Sequence, residues 1–252
     1  MPRFAANLSY LFTELPFIDR FAAAKAAGFE GVELPAPYDH PAQALRAQLA
    51  LHNLALAMIA SPPPNYTGGP RGFAAVPGLE ARFRHDFERT LRYAQLLHPA
   101  HIHLMAGRAE GAAARACYVE NLKWAAEAAL PFSLTIAPLN PVDVPGYFLA
   151  SFDLAAEVLD AVAAPNLALQ FSTYHAQMLT HDVPGQWARH GARARHVQIA
   201  GTPGRHEPAG GDIDHAAFFA RLDAMGYQGW VSAEYDPANG TTAGLGWLPQ
   251  SA

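Results

Sequence analysis

The chain has 252 residues, 51% hydrophobic and 15% charged; that is ample apolar surface for a core and excludes a disordered, low-complexity polymer. Its formal net charge is −5, from 17 basic against 22 acidic residues with the 12 histidines neutral, so the basic footprint of a nucleic-acid binder is missing. Cys117 is the single cysteine, which excludes an internal disulfide and a cysteine-rich zinc site.

Eight short segments are predicted as buried strands, because β-branched or apolar residues cluster between turn signals. In chain order they are 4–8, 31–34, 55–59, 101–105, 133–137, 167–171, 196–200 and 230–234. Helical spacing of apolar residues falls between them: after Phe17, ending at Gly28 as a C-cap; over 79–97, whose Arg/Glu/His run reads as a solvated face; and over 112–129, 152–163 and 216–225. Ser151 is a natural N-cap for the fourth of these helices. Eight strands alternating with helices predict one domain over 1–252, an α/β chain closed as a single (β/α)8 TIM barrel. An open doubly wound sheet is the alternative, but neither G-x-G-x-x-G nor G-x-x-x-x-G-K-[ST] occurs. The Pro/Gly stretch 61–78 is too long for a simple connection and reads as a lid or binding loop. The segment 240–252 is too short for a full eighth helix, and is expected to close the barrel or meet a partner subunit. Apolar runs are broken by Pro, Gly or His, so no transmembrane helix is expected. The opening Met1-Pro2-Arg3-Phe4 shows no signal-peptide pattern, and a cytoplasmic protein is the expectation.

In a barrel of this kind, chemistry sits where strands end at the C-terminal face. Those ends carry Asn7 and Ser9, Glu33, Ser61, His103, Ala137 and Asn140, Ser172, Tyr174 and His175, Gln198, and Glu234 with Tyr235. His101 and His103 alternate and share one strand face, as do His196 and Gln198; His101 and His196 read as structural. Cys117 falls mid-helix among Ala and Val and reads as packing. Arg205-His206-Glu207-Pro208 is no zincin helix, since Pro208 follows and no second histidine stands at the required spacing.

The blocks PRFAANLSYLFTELPFIDRFAAAKAAGFEGVE, PLNPVDVPGYFL, LQFSTYHAQ, HVQIAGTPGRHEP and GYQGWVSAEYDP resemble the hydroxypyruvate isomerase family, and most of all its bacterial 2-oxotetronate isomerases. The resemblance spans nearly the whole chain and implies a xylose-isomerase-like barrel. It implies an activity too: moving a carbonyl between adjacent carbons of a small α-hydroxy-carbonyl acid. The implied cofactor is Mg²⁺ or Mn²⁺, held by a Glu on the fifth strand, an Asp on the sixth, a Gln on the seventh and a Glu on the eighth. The two glutamates would double as the acid/base pair.

The match breaks at two of these four positions. The fifth-strand motif, Glu-Pro-Leu-Asn-Pro in the family, reads Ala137-Pro138-Leu139-Asn140-Pro141, and the sixth-strand Asp is Ser172. Gln198 and Glu234 remain as remnant ligands. Hard divalent cations rely on several oxygens, usually with carboxylates among them, so no metal or other cofactor is expected. The third-strand loop departs as well, reading Ala60-Ser61-Pro62-Pro63-Pro64-Asn65-Tyr66 where the family has Gly in place of Pro64. Glu234, His175 and His103 are therefore the candidate catalytic groups, the histidines for their near-neutral pKa. Arg205, His206, Asn7, Gln198, Ser172 and Tyr66 are the candidate substrate-binding groups, with Arg205 a natural partner for a carboxylate. The expected partner is a small hydroxy-carbonyl acid, with neither nucleic acid nor membrane; self-association stays open. Two other readings remain at this point: a metal-independent lyase, epimerase or tautomerase on a related acid, and a non-catalytic sugar-acid-binding protein.

Overall fold

The computed structural model describes residues 2–61 and 71–249. Eight parallel strands close into a barrel in chain order: β1 (Arg3–Asn7), β2 (Gly31–Leu34), β3 (Ala55–Ala60), β4 (His101–His103), β5 (Ser133–Ile136), β6 (Leu167–Ser172), β7 (Ala194–Ile199) and β8 (Trp230–Ala233), the last pairing with β1. The helices are α1 (Asp19–Ala26), α2 (Ala42–Leu51), α3 (Glu80–Leu97), α4 (Gly111–Ala128), α5 (Phe152–Val162), α6 (Thr173–Thr180), α7 (Val183–His190) and α8 (His215–Ala224). One helix follows each of the first five strands, two follow β6 and one follows β7. Among the described residues after β8 there is a 3₁₀ segment, Thr242–Trp247, and no α-helix. Among the described residues, no helix is long and apolar enough to cross a membrane.

Strand alternation divides the barrel into two environments. Phe4, Ala6, Val32, Leu34, Ile102, Leu134, Ile136, Leu169, Phe171, Val197, Ile199 and Val231 join one apolar cluster with helix residues such as Phe21, Leu45, Phe87, Leu122, Val158 and Leu222. That layer between sheet and helices is the main core. The intervening positions are polar yet fully buried: Asn7, Glu33, His101, His103, Thr135, Gln170, His196, Gln198 and Ser232. Barrel interiors are ordinarily filled by branched apolar side chains, so a polar interior has to be held by its own hydrogen bonds. The N-terminal end is plugged by Trp230, which clusters with Ala5 and Ala57 and carries the Arg3 guanidinium 3.8 Å above its ring. Gly31 is required there, since a Cβ on it would come within 2.9 Å of the indole.

Ser151 caps α5 by accepting from Leu154 N at 3.1 Å, as read from the sequence. Cys117 is half-buried, with its Sγ 3.5 Å from Glu80 Oε1; burial and that carboxylate push its thiol up to about 11, which keeps it protonated and unreactive. Tyr66 and the altered Pro64 turn lie outside the described residues.

Candidate active site

The register of the first two strands sets Asn7 beside Glu33 at their C-terminal ends. Asn7 has two amide hydrogens and commits both, to Glu33 Oε2 at 2.8 Å and to Glu234 Oε1 at 3.4 Å. Its Oδ1 accepts from Ser9 N at 3.0 Å, which fixes the orientation of the amide. Asn7 thus bridges two carboxylates from opposite ends of the chain.

Glu33 is fully buried and pairs with His196 Nε2. Gln198 Nε2 donates to it as well, at 3.0 Å to Oε2. Burial pushes the Glu33 carboxyl up, but His196 and the amide donor outweigh it and leave the group below its ordinary value. Because an ionised carboxylate only accepts, Gln198 has to turn its NH₂ inward. Its Oε1 then accepts from Gln170 Nε2 at 2.9 Å, and Gln170 Oε1 accepts from Thr135 at 3.2 Å. The Thr135 hydroxyl, having spent its proton, accepts from His103 Nδ1 at 3.4 Å. One hydrogen-bonded chain therefore runs across the barrel from His103 on β4 to Glu234 beyond β8.

Glu234 stands at the mouth. Arg205 Nη2 lies 2.5 Å from its Oε2, with the two side chains 14% and 15% exposed, and Arg205 Nε reaches the Glu234 carbonyl at 3.4 Å. The guanidinium lies over the rings of Tyr10 and Tyr174, 4.9 and 5.0 Å from their centroids. The loop that carries it is zipped to the end of β8. Asp236 N donates to Arg205 O at 2.9 Å, and His206 Nδ1 donates to Asp236 O at 2.8 Å. Arg205 adopts a left-handed φ of 57°, uncommon for a residue with a side chain and a feature that gathers at functional sites. Burial raises the Glu234 carboxyl above its ordinary value and the charge of Glu33 adds to this, against the lowering effect of Arg205. Glu234 is therefore a carboxylate poised to take up a proton.

The histidines behave differently from the sequence expectation. Burial pushes His103 down to about 4 and His175 down to about 3, the latter helped by the charge of Arg205. Neither has the near-neutral pKa expected of a proton shuttle. In His175, Nδ1 accepts from Asn140 N at 3.1 Å and lies 2.9 Å from Asn140 Nδ2. The ring is thereby fixed as a neutral Nε2–H tautomer, a hydrogen-bond donor rather than a base. His206 is exposed at the rim, and its Nδ1 is already used on Asp236.

The donor set does not fit the divalent cation that the family resemblance implies. Ala137 supplies no oxygen. Ser172 Oγ accepts from His175 N at 3.3 Å as the cap of α6, Gln198 Oε1 is held by Gln170, and Glu234 faces the Arg205 cation. Among the described residues, no group of three or more His, Cys, Asp or Glu side chains converges as a metal site.

Sequence reasoning missed two residues here. Tyr10 lies just beyond the end of β1, covers one face of Arg205 and keeps its phenol protonated, raised chiefly by burial and then by Glu234. Arg71 lies in the long loop and its charge reaches Tyr10, His175 and Glu234. The signal for it was present, since Arg71 is the sole charged residue between 61 and 78.

A family model described as the xylose isomerase-like TIM barrel matches residues 21–251, and the chain belongs to that family. Its relatives include the 2-oxo-tetronate isomerase of Cupriavidus necator, 46% identical over 254 residues, and the hydroxypyruvate isomerase of Escherichia coli, 35% identical over 254 residues. Both alignments cover 98% of each chain. The crystal structure of an AP endonuclease, family 2, from Brucella melitensis matches with a TM-score of 0.95 at 39% identity, over 98% of both chains.

Proposed function

We propose that this chain is an isomerase of the hydroxypyruvate/2-oxotetronate type, moving a carbonyl between adjacent carbons of a small α-hydroxy-carbonyl acid by proton transfer. The identity to relatives that carry those names supports the substrate class. The observation that carries the chemistry is Glu234, a part-buried carboxyl held above its ordinary pKa and oriented by Asn7 and Arg205 at the barrel mouth.

In this reading the Glu234 carboxylate takes the proton from the carbon bearing the hydroxyl, leaving an enediolate across the two carbons. The same carboxyl, part-exposed and able to exchange its proton with solvent, returns a proton to the neighbouring carbon. The hydroxyl proton passes to the former carbonyl oxygen, so the sum is one hydrogen moved between carbons and one between oxygens. Glu234 serves as the single base in this reading, since Glu33, the other carboxylate Asn7 bridges, is engaged by His196, Gln198 and Asn7. The growing negative charge on oxygen meets the Arg205 guanidinium and the fixed Nε2–H of His175. Such preorganised donors cost no reorganisation as the charge develops.

The test is incubation of the protein with 2-oxotetronate and with hydroxypyruvate in D₂O, followed by proton NMR. Conversion to the isomer, with deuterium appearing at the reacting carbon, is the expected result. Binding of the acid without conversion or exchange would replace this reading by that of a sugar-acid-binding protein.

A further inference from the structure

Glu33 is not the base of the proposed reaction, yet the placement of the base begins with it. It is fully buried, and three donors from two strands occupy its oxygens. Asn7 of β1 donates to Oε2 at 2.8 Å, Gln198 of β7 donates to the same oxygen at 3.0 Å, and His196 of β7 pairs with Oε1. An ionised carboxylate can take all three without conflict, because it has no hydrogen of its own to place.

Asn7 is held as firmly as its partner. Its backbone lies in register with Glu33, Leu8 N donates to Glu33 O at 3.1 Å, and the Asn7 carbonyl accepts from Tyr10 N at 3.1 Å and Leu11 N at 2.9 Å. The amide cannot turn over. With Oδ1 accepting from Ser9 N at 3.0 Å, a flip would set its NH₂ against that N–H and its oxygen against two carboxylates. Both amide hydrogens are committed, one to Glu33 and one to Glu234 Oε1 at 3.4 Å. That leaves Asn7 no hydrogen to give a ligand.

Glu234 ends this line of contacts. Its backbone N donates to Ile199 O at 3.0 Å, but the last torsion of a Glu side chain is broad and roughly two-fold, so other side chains have to fix the carboxylate plane. Arg205 holds Oε2 and Asn7 holds Oε1. The Asn7 bond is the longer, as is common for catalytic hydrogen bonds that tighten only once substrate is bound.

We infer that Glu33 and Asn7 form a positioning pair, in which Glu33 fixes the Asn7 amide and Asn7 aims the Glu234 carboxylate at the substrate carbon. This rests on the isomerase reading, and it replaces the sequence expectation that Asn7 binds substrate. The buried end of the pair acts on the chemistry without touching it.

Asn7→Ala should lower kcat roughly 10- to 100-fold, the cost of a reacting group displaced by about 1 Å. KM should stay close to the parent value, and D-erythronate, a four-carbon sugar acid without a carbonyl, should bind as it does to the parent in calorimetry. A crystal structure of the variant should show the Glu234 carboxylate moved from its parental place. Removing a partner of buried Glu33 also destabilises the fold, so a second variant separates aim from stability. Asn7→Asp combined with Glu33→Gln moves the buried carboxylate from position 33 to position 7. The new amide donates to the new carboxylate, which still accepts from Ser9 N, while Glu234 Oε1 loses its donor. Stability should recover relative to Asn7→Asp alone, and kcat should not. Unchanged kcat in folded Asn7→Ala would overturn the inference. So would a loss confined to KM and erythronate binding, which would return Asn7 to the substrate, or a kcat that recovers together with stability in the double variant. Absence of turnover in the parent would remove the isomerase reading; the crystal comparison would then decide the positioning, and Glu234 unmoved in Asn7→Ala would overturn it.

Discussion

Glu234→Gln is expected to lower kcat by about 10²–10⁴-fold, the usual cost of removing a positioned general base. The amide is nearly the same size but has a single acceptor oxygen, so it keeps the bond from Arg205 and turns its NH₂ toward Asn7; KM and the melting temperature should change far less than kcat. This largely separates the chemistry from packing: the variant keeps the contact with Arg205, gives up the long 3.4 Å bond from Asn7, and loses the ability to take a proton. Steady-state kinetics on the parent and the variant, with folding checked by circular dichroism, give the comparison. Unchanged turnover would move the proton transfer to another group.

Acid sensitivity of the fold is the other large effect. Burial depresses five histidines: His101 and His175 to about 3, His103 and His215 to about 4, and His190 below its ordinary value; the first four carry the large shifts. In the unfolded chain each titrates near its ordinary value of 6.5. Between these values the unfolded state binds more protons than the folded one, so stability rises with pH and is lost as pH falls from about 6.5 toward 3. Four such groups give a slope of at most about 5 kcal/mol per pH unit near pH 5. Glu33, held below its ordinary value, adds to the loss further down, while Glu234, held above its own, offsets part of it. Against a typical total of about 5–15 kcal/mol, cooperative unfolding is expected above about pH 4. Denaturant titrations at a series of pH values read the slope directly. His101→Gln should flatten it, and a stability independent of pH between 7 and 5 would show these rings to be protonated already in the folded state.

The barrel was legible because its outward positions keep an apolar alternation. Phe4, Ala6 and Leu8, or Ile102 and Leu104, mark strands even though their inward neighbours are Asn7 and His103. The edges were less so. The strand expected over 101–105 stops at His103, because Ala106 pairs with Gly72 of the following loop instead of the barrel. The helices α2, α6 and α7 were not read. α6 starts directly from β6, with Ser172 as both the last strand residue and the cap, so no turn announces it. In α7, Pro184 and Gly185 look like breakers, but Pro184 occupies the first turn, where a missing N–H costs nothing.

At the site, Asn7, Gln198, Arg205 and Glu234 could be named from strand ends and motifs. Their partnerships could not. Glu33 meets His196 across 163 residues, and no local pattern encodes such a pair. The histidine tautomers were equally hidden, because they follow from which neighbour has already spent its proton, as at Thr135 and Asn140.

Glu234 is proposed to carry out the isomerisation in a site whose own residues, with Arg205 as its fixed cation, work without a divalent metal. The most direct measurement is turnover of 2-oxotetronate by protein dialysed against EDTA, with and without added Mn²⁺ or Mg²⁺, beside calorimetric titration of the same metals. The expected result is turnover in the stripped protein, unchanged by either metal, with no stoichiometric binding at the mouth. Turnover that appears only on adding metal, together with a stoichiometric binding isotherm abolished by Glu234→Gln, would contradict it.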